Sequence, residues 1–156
     1  MGIKKFVVNI GFKLLGKGLV SCSKIEKAVQ EEIEFYEDGF IIELKVFNTD
    51  TKVAVEKIGN RFKYLGSKNN RTPDLSVIFK SYEAALLLVL GQIGVHEGYA
   101  QHRFIAKGDL IDSMPFIRIL YYVEAYLFPK FITKNILKEF PKQSSSKAKA
   151  YLRLLV

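Results

Sequence analysis

Tryptophan is absent and cysteine occurs once, as Cys22, so no internal disulfide can form and nothing points to an oxidising compartment. Four prolines and eleven glycines in 156 residues exclude collagen-like and proline-rich low-complexity chains. No stretch reaches the roughly 18 uncharged apolar residues of a membrane span. The nearest, residues 116–132, holds Arg118, Glu124 and Lys130. Lys4 and Lys5 before an apolar stretch resemble the start of a secretory signal. Lys13 and Lys17 interrupt that stretch, and no small-residue cleavage site follows. The expectation is a cytoplasmic protein without a crossing segment.

Residues for known chemistries are also scarce. The two histidines, His96 and His102, stand six apart, whereas a helical zinc pair stands four apart. Cys22 has no evident base partner. Gly16-Lys17-Gly18 lacks the flanking glycine spacing and the Ser/Thr of a phosphate loop. Asp109 and Asp112 follow a glycine at a helix start, where carboxylates satisfy free N–H groups. No catalytic residue, metal or cofactor is expected.

Apolar residues, by contrast, are plentiful. Hydrophobic residues make up 49% of the chain, with twelve Phe and eight Tyr, and charged residues 26%. Mean hydropathy is +0.09, more apolar than a small soluble domain needs. The length suits one domain, which hides about 68–70% of its unfolded surface. The net charge of +8 is uneven: residues 1–28 carry +5, residues 29–112 carry −3, and residues 113–156 carry +6. Basic ends around a mildly acidic middle point to an anionic partner, a membrane surface or nucleic acid.

Periodicity orders the chain. Residues 3–17 read as a basic amphipathic helix, with Lys5, Asn9, Lys13 and Lys17 on one face and Ile3, Val7, Ile10 and Leu14 on the other. It packs on its own domain, docks on a membrane, or does both; Gly11 and Gly16 weaken it by ~1 kcal/mol each. Ser23-Lys24-Ile25-Glu26 is a capping-box pattern, opening a second helix that ends at Asp38-Gly39. A short strand at 33–35 is the alternative. Alternation then predicts a four-stranded meander with one apolar face (Phe40, Ile42, Leu44, Val46; Val53, Val55; Phe62, Tyr64; Leu75, Val77, Phe79) and one wet face. Ser81 caps an apolar helix stopped by Gly91 and Gly94, and a short helix follows at 95–101. Phe104 and Ala106 mark a fifth strand. A long helix over 110–128 ends at Pro129, and a basic helix over about 130–140 precedes a Lys-rich tail.

This order resembles the sterol carrier protein 2 family. The resemblance rests on Pro73-Asp74-Leu75-Ser76-Val77-Ile78-Phe79 as a fourth strand, on Ser81 to Gly91 as the following helix, and on Arg103-Phe104-Ile105-Ala106-Lys107-Gly108-Asp109 as the fifth strand. It covers about residues 36–128, and the basic ends look like the bacterial lipid-binding branch. The resemblance implies an α+β fold, a five-stranded, mainly antiparallel sheet covered by helices on one face. It implies an apolar cavity for a sterol, acyl or isoprenoid lipid, no catalytic residue and no cofactor. Some bacterial relatives serve quinone biosynthesis as accessory lipid-binding proteins. The chain then divides into a helical start (1–36), a lipid-binding core (37–128) and a basic helical extension (129–156) within one domain.

The residues themselves support an apolar site. The helix at 86–90 is apolar on every side and must be buried all round or line something apolar. Tyr121, Tyr122 and Tyr126 suit a wet–apolar boundary. Expected cavity residues are Leu44, Val46, Val77, Phe79, Leu86, Leu90, Phe104 and Leu120. Expected membrane-docking residues are Lys5, Lys13, Lys17, Lys130, Lys134 and Lys138, the last three on a basic amphipathic face. The alternation of Arg61-Phe62-Lys63-Tyr64 turns the aromatics away from the charges, which argues against nucleic acid. A homodimer or a scaffold for partner enzymes is the alternative to a ligand cavity.

Overall fold

The computed structural model describes residues 2–127. The expected basic helix at 130–140 and the extension 129–156 lie outside them. The elements are α1 (Ile3–Ile25), α2 (Lys27–Ile33), β1 (Ile41–Val46), β2 (Lys52–Ile58), β3 (Arg61–Gly66), β4 (Leu75–Phe79), α3 (Tyr82–Val89), α4 (Val95–Ala100), β5 (Phe104–Lys107) and α5 (Leu110–Leu127). The helix, sheet, helix, strand, helix order expected from the resemblance is therefore present, and the fold is α+β.

The five strands form one mixed sheet in the order β3-β2-β1-β4-β5. β1, β2 and β3 are an antiparallel meander, as the alternation predicts. β4 does not extend it. It crosses back to pair parallel with β1, and β5 pairs antiparallel with β4. Asp74 locks that crossing: its N–H donates to the Ile41 carbonyl and its carboxylate accepts the Ile41 N–H, both at 2.8 Å. Side-chain alternation reports which face a residue occupies, not which strand lies beside it, so the sequence cannot show this pairing.

One sheet face carries the core. Ile42, Leu44 and Val46 of β1 line up with Leu75, Val77 and Phe79 of β4, and all six are buried. Phe12 of α1 packs on Phe79, ring centroids 5.5 Å apart, and Phe79 packs on Phe104 at 5.3 Å. α1, α3 and α5 bring Leu15, Leu88, Phe116, Leu120 and Val123 to the same core. The opposite face is less wet than alternation predicts. Lys52 donates to the Asn69 carbonyl at 3.0 Å, and Arg71 makes a two-pronged contact to Glu56 at 2.9 and 3.1 Å. Those bonds tie the β3–β4 connection to that face, where Glu43, Ala54 and Ser76 are buried.

The helices depart from the sequence reading in four places. α1 continues through residue 17 to Ile25. Ser23 is not a helix cap: its hydroxyl donates to the Val20 carbonyl at 2.6 Å and accepts the Phe62 N–H at 3.1 Å, serving the edge strand β3. Glu26 caps α2 instead, accepting the Ala28 N–H. α3 is capped by Ser81 as expected, yet it is not enclosed: Leu88 is buried, Leu86 and Leu87 are half-buried, and Leu90 is 45% exposed. α5, expected to be apolar all round, is buried along one broad face and exposed at Ile111, Met114 and Arg118 on the other, with Tyr121 and Tyr122 half-buried, while Tyr126 is fully buried rather than at a boundary.

α1 also turns a different face inward. Ile3, Ile10 and Leu14, expected on the packed side, are exposed, as is Phe6; Val8, Phe12, Leu15, Leu19 and Cys22 are buried. Glycines border the buried stripe. A Cβ on Gly11 would meet Val89 of α3 at 2.6 Å, one on Gly16 would meet Val53 at 2.7 Å, and one on Gly18 would meet Leu127 at 2.9 Å. The helix sits where its smallest residues let neighbours approach. By length and mean hydropathy α1 is also the one described helix able to cross a membrane, although the sequence has no unbroken uncharged run; half of its most apolar window is buried within the protein.

Candidate functional site

Six of the eight expected cavity residues meet in one place. Leu44, Val46, Val77, Phe79, Phe104 and Leu120 are buried between the sheet and the helical layer, in contact through the shared core. Leu86 packs on its margin, half-buried, and Leu90 is exposed and outside the cluster.

Two of the expected docking lysines of α1, Lys13 and Lys17, lie along its outward half, whereas Lys5 reaches toward the β1–β2 turn. Lys13 is exposed, and Lys5 and Lys17 are half-buried. Lys5 pairs with Asp50 at 3.2 Å, and that contact holds the Asp50 carboxyl below its usual range. Lys130, Lys134 and Lys138 lie outside the described residues. On the same outward side Ile3, Phe6, Ile10 and Leu14 form a helical stripe, 78%, 61%, 46% and 48% exposed. A stripe of large apolar side chains in water beside lysines is the pattern of an interfacial helix.

A groove of about 1030 Å³ runs beside this stripe, between α1, the β1–β2 turn and the end of β3. Five lysines line it, Lys5, Lys13, Lys45, Lys52 and Lys68, with one carboxylate, Asp50. Phe6, Ile10, Tyr64 and Leu65 form its apolar wall. Sequence reasoning missed Lys45, Lys52 and Lys68 because they belong to a stretch with net charge −3, and a regional sum hides a local cluster. The period-2 pattern held a signal: Lys45 and Lys52 occupy the same sheet face.

The remaining ionisable groups have structural surroundings. Cys22 is buried, and desolvation pushes its thiol far up, so it holds its proton. Asp109 accepts the Ile111 N–H at 2.9 Å, a cap at the start of α5. The His96 ring packs on Tyr121 with centroids 4.6 Å apart. Glu124 is buried beneath α4: Oε1 accepts the Val95 N–H, and Oε2 has no hydrogen-bond partner among the described residues. Desolvation raises its pKa to about 8, outweighing the Val95 hydrogen bond, which lowers it. Among the described residues no group of three or more His, Cys, Asp or Glu is placed to hold a metal ion.

No protein-family model matches the sequence, and no curated protein matches it. Solved structures similar to the chain include the following two. One, described as "UbiJ-SCP2 Ubiquinone synthesis protein", is 14% identical, with 79% of this chain and 100% of that chain covered and a TM-score of 0.48. The other, sterol carrier protein 2 from Yarrowia lipolytica in its apo form, is 19% identical, with 72% of this chain and 88% of that chain covered and a TM-score of 0.43.

Proposed function

We propose that the protein is a non-enzymatic lipid-binding carrier that docks on anionic membrane surfaces and holds a sterol-like, acyl or isoprenoid ligand between its sheet and helices. The observation that carries this reading is the outward face of α1. Four large apolar residues there face water beside Lys13 and Lys17 on a helix whose other side belongs to the core. Exposed apolar area of that kind is matched by the interfacial zone of a bilayer, and each lysine near an anionic surface adds ~1 kcal/mol. The ligand site is proposed among Leu44, Val46, Val77, Phe79, Phe104 and Leu120, with Leu86 and Leu90 toward its mouth. Binding there requires the helical layer to part from the sheet. On this reading the protein works in the cytoplasm, peripheral to a membrane, and Lys130, Lys134 and Lys138 add to its charge attraction.

Organic extraction of detergent-free protein, with mass spectrometry of the extract, tests the carrier. Near-stoichiometric lipid supports it; an empty extract from folded protein refutes a retained ligand. Co-sedimentation with vesicles of phosphatidylcholine and phosphatidylglycerol tests docking, and Phe6→Asp with Ile10→Asp should abolish it.

A partner-binding or homodimeric scaffold is the second reading. Ile105 on the edge strand β5 and Leu110, Ile111 and Met114 at the start of α5 favour it, since all four are exposed. The molecular mass in solution decides whether copies pair through them.

A further inference from the structure

The groove beside α1 has a composition that the carrier reading does not use. Its one carboxylate, Asp50, is engaged by Lys5 at 3.2 Å. Lys52 reaches Glu43 at 3.9 Å and donates to the Asn69 carbonyl. Among the groove's described residues that leaves no carboxylate for Lys13, Lys45 and Lys68. Lys45 and Lys52 are moreover direct cross-strand partners in the β1–β2 pairing. Like charges placed opposite one another are unfavourable in a sheet, and here Glu43 offsets the charge at the Lys52 end, which leaves Lys45 for an external anion. Phe6 and Ile10 belong both to the groove wall and to the exposed stripe that continues through Ile3 and Leu14. A cationic pocket that opens onto a continuous apolar ridge matches an anionic headgroup joined to hydrocarbon, and a phosphate, with several acceptor oxygens, suits a set of lysines better than a single carboxylate does. A nucleic acid would instead want several aromatic faces for its bases, and the ridge is aliphatic beyond Phe6.

We infer that this groove binds the headgroup of a single anionic phospholipid, its phosphate among Lys13, Lys45, Lys52 and Lys68 and its hydrocarbon along Phe6 and Ile10. The inference rests on the membrane-docking part of the proposed function and deepens it. It replaces a diffuse charge attraction with a saturable site for one lipid, separate from the enclosed apolar core.

The test removes the bilayer. The full chain is titrated with dihexanoyl phosphatidylglycerol below its micelle concentration, followed by amide chemical shifts, with dihexanoyl phosphatidylcholine as the comparison. Saturable binding at least tenfold tighter for the glycerol lipid is expected, with shifts centred on α1 and the β1–β2 turn. The double variant Lys45→Glu with Lys68→Glu should weaken it tenfold or more, and Lys45→Glu should not unfold the protein, because it places opposite charges across β1 and β2. Absence of saturable binding, equal affinity for the two lipids, or unchanged affinity in the variant overturns the inference. So does displacement of the lipid by inorganic phosphate alone or by a single-stranded RNA oligonucleotide at equal concentration. Wild-type binding to vesicles of phosphatidylcholine and phosphatidylglycerol separates the two claims. Vesicle binding without soluble-lipid binding sinks the groove and spares docking; soluble-lipid binding without vesicle binding does the reverse.

Discussion

The Tyr126 hydroxyl donates to Oε1 of Glu26 at 2.7 Å, across 100 residues of chain, and both side chains are buried. The bond ties α5 to the junction of α1 and α2. Glu26 serves twice there, because its other oxygen accepts the Ala28 N–H and starts α2.

Removing Glu26 therefore does more damage than removing the tyrosine hydroxyl. Glu26→Ala deletes a cap, worth ~1 kcal/mol, and leaves a buried hydroxyl without that acceptor, at about 1–3 kcal/mol. A loss of about 2–4 kcal/mol is expected in urea unfolding. Tyr126→Phe should cost about 1–2 kcal/mol. A double-mutant cycle should return a clear coupling energy; simple additivity would mean that the bond contributes nothing.

Gly16 gives a prediction whose sign is diagnostic. In an isolated helix Gly→Ala gains about 1 kcal/mol. Here the new methyl would meet Val53 at 2.7 Å and Tyr64 at 2.8 Å. Overpacking of this kind costs about 1–3 kcal/mol, so Gly16→Ala should lower the unfolding midpoint. A raised midpoint would show that α1 does not lie on the sheet as described.

The two ends of α3 should respond differently. Leu88 is buried, and Leu88→Ala should cost about 2–5 kcal/mol. Leu90 is 45% exposed, and Leu90→Arg should leave stability within about 0.5 kcal/mol. On the carrier reading, the same arginine should reduce the lipid recovered by extraction.

Glu124 sets a pH dependence. Its native pKa of about 8 lies above the ordinary value of 4.5, so between them the folded protein keeps a proton that the unfolded chain has released. Its contribution is fully present below about pH 4.5 and is lost as pH rises to about 8. Within that window the slope is about 1.4 kcal/mol per pH unit. Glu124→Gln stays neutral throughout and should lack the slope. Denaturant midpoints of both proteins from pH 5 to 9 measure it; parallel profiles would mean that Glu124 is ionised in the fold.

Much of the architecture is legible in the residues alone. The period-2 runs from residue 41 to 79 locate four strands and their apolar face, because side chains on a strand alternate by geometry. Ser81 and Gly91 bound α3, and Asp109 starts α5, because capping chemistry is local. The apolar set Leu44, Val46, Val77 and Phe79 follows from the same alternation.

Other features depend on contacts between distant segments. Which strand lies beside β1 is decided by Asp74 bonding to Ile41, 33 residues away in the chain. Which face of α1 turns inward is decided by Val89, Val53 and Leu127 closing on Gly11, Gly16 and Gly18, residues that read in isolation only as helix weakeners. The lysine groove is assembled from α1, β1, β2 and the connection after β3. Composition, charge order and periodicity together determined that this is an apolar-rich, cysteine-poor chain of helices and strands with a basic start. Folding decided where the lysines meet, because the packing of α1 against the sheet, and not adjacency along the chain, brings Lys13, Lys45, Lys52 and Lys68 to one groove despite their mutual repulsion.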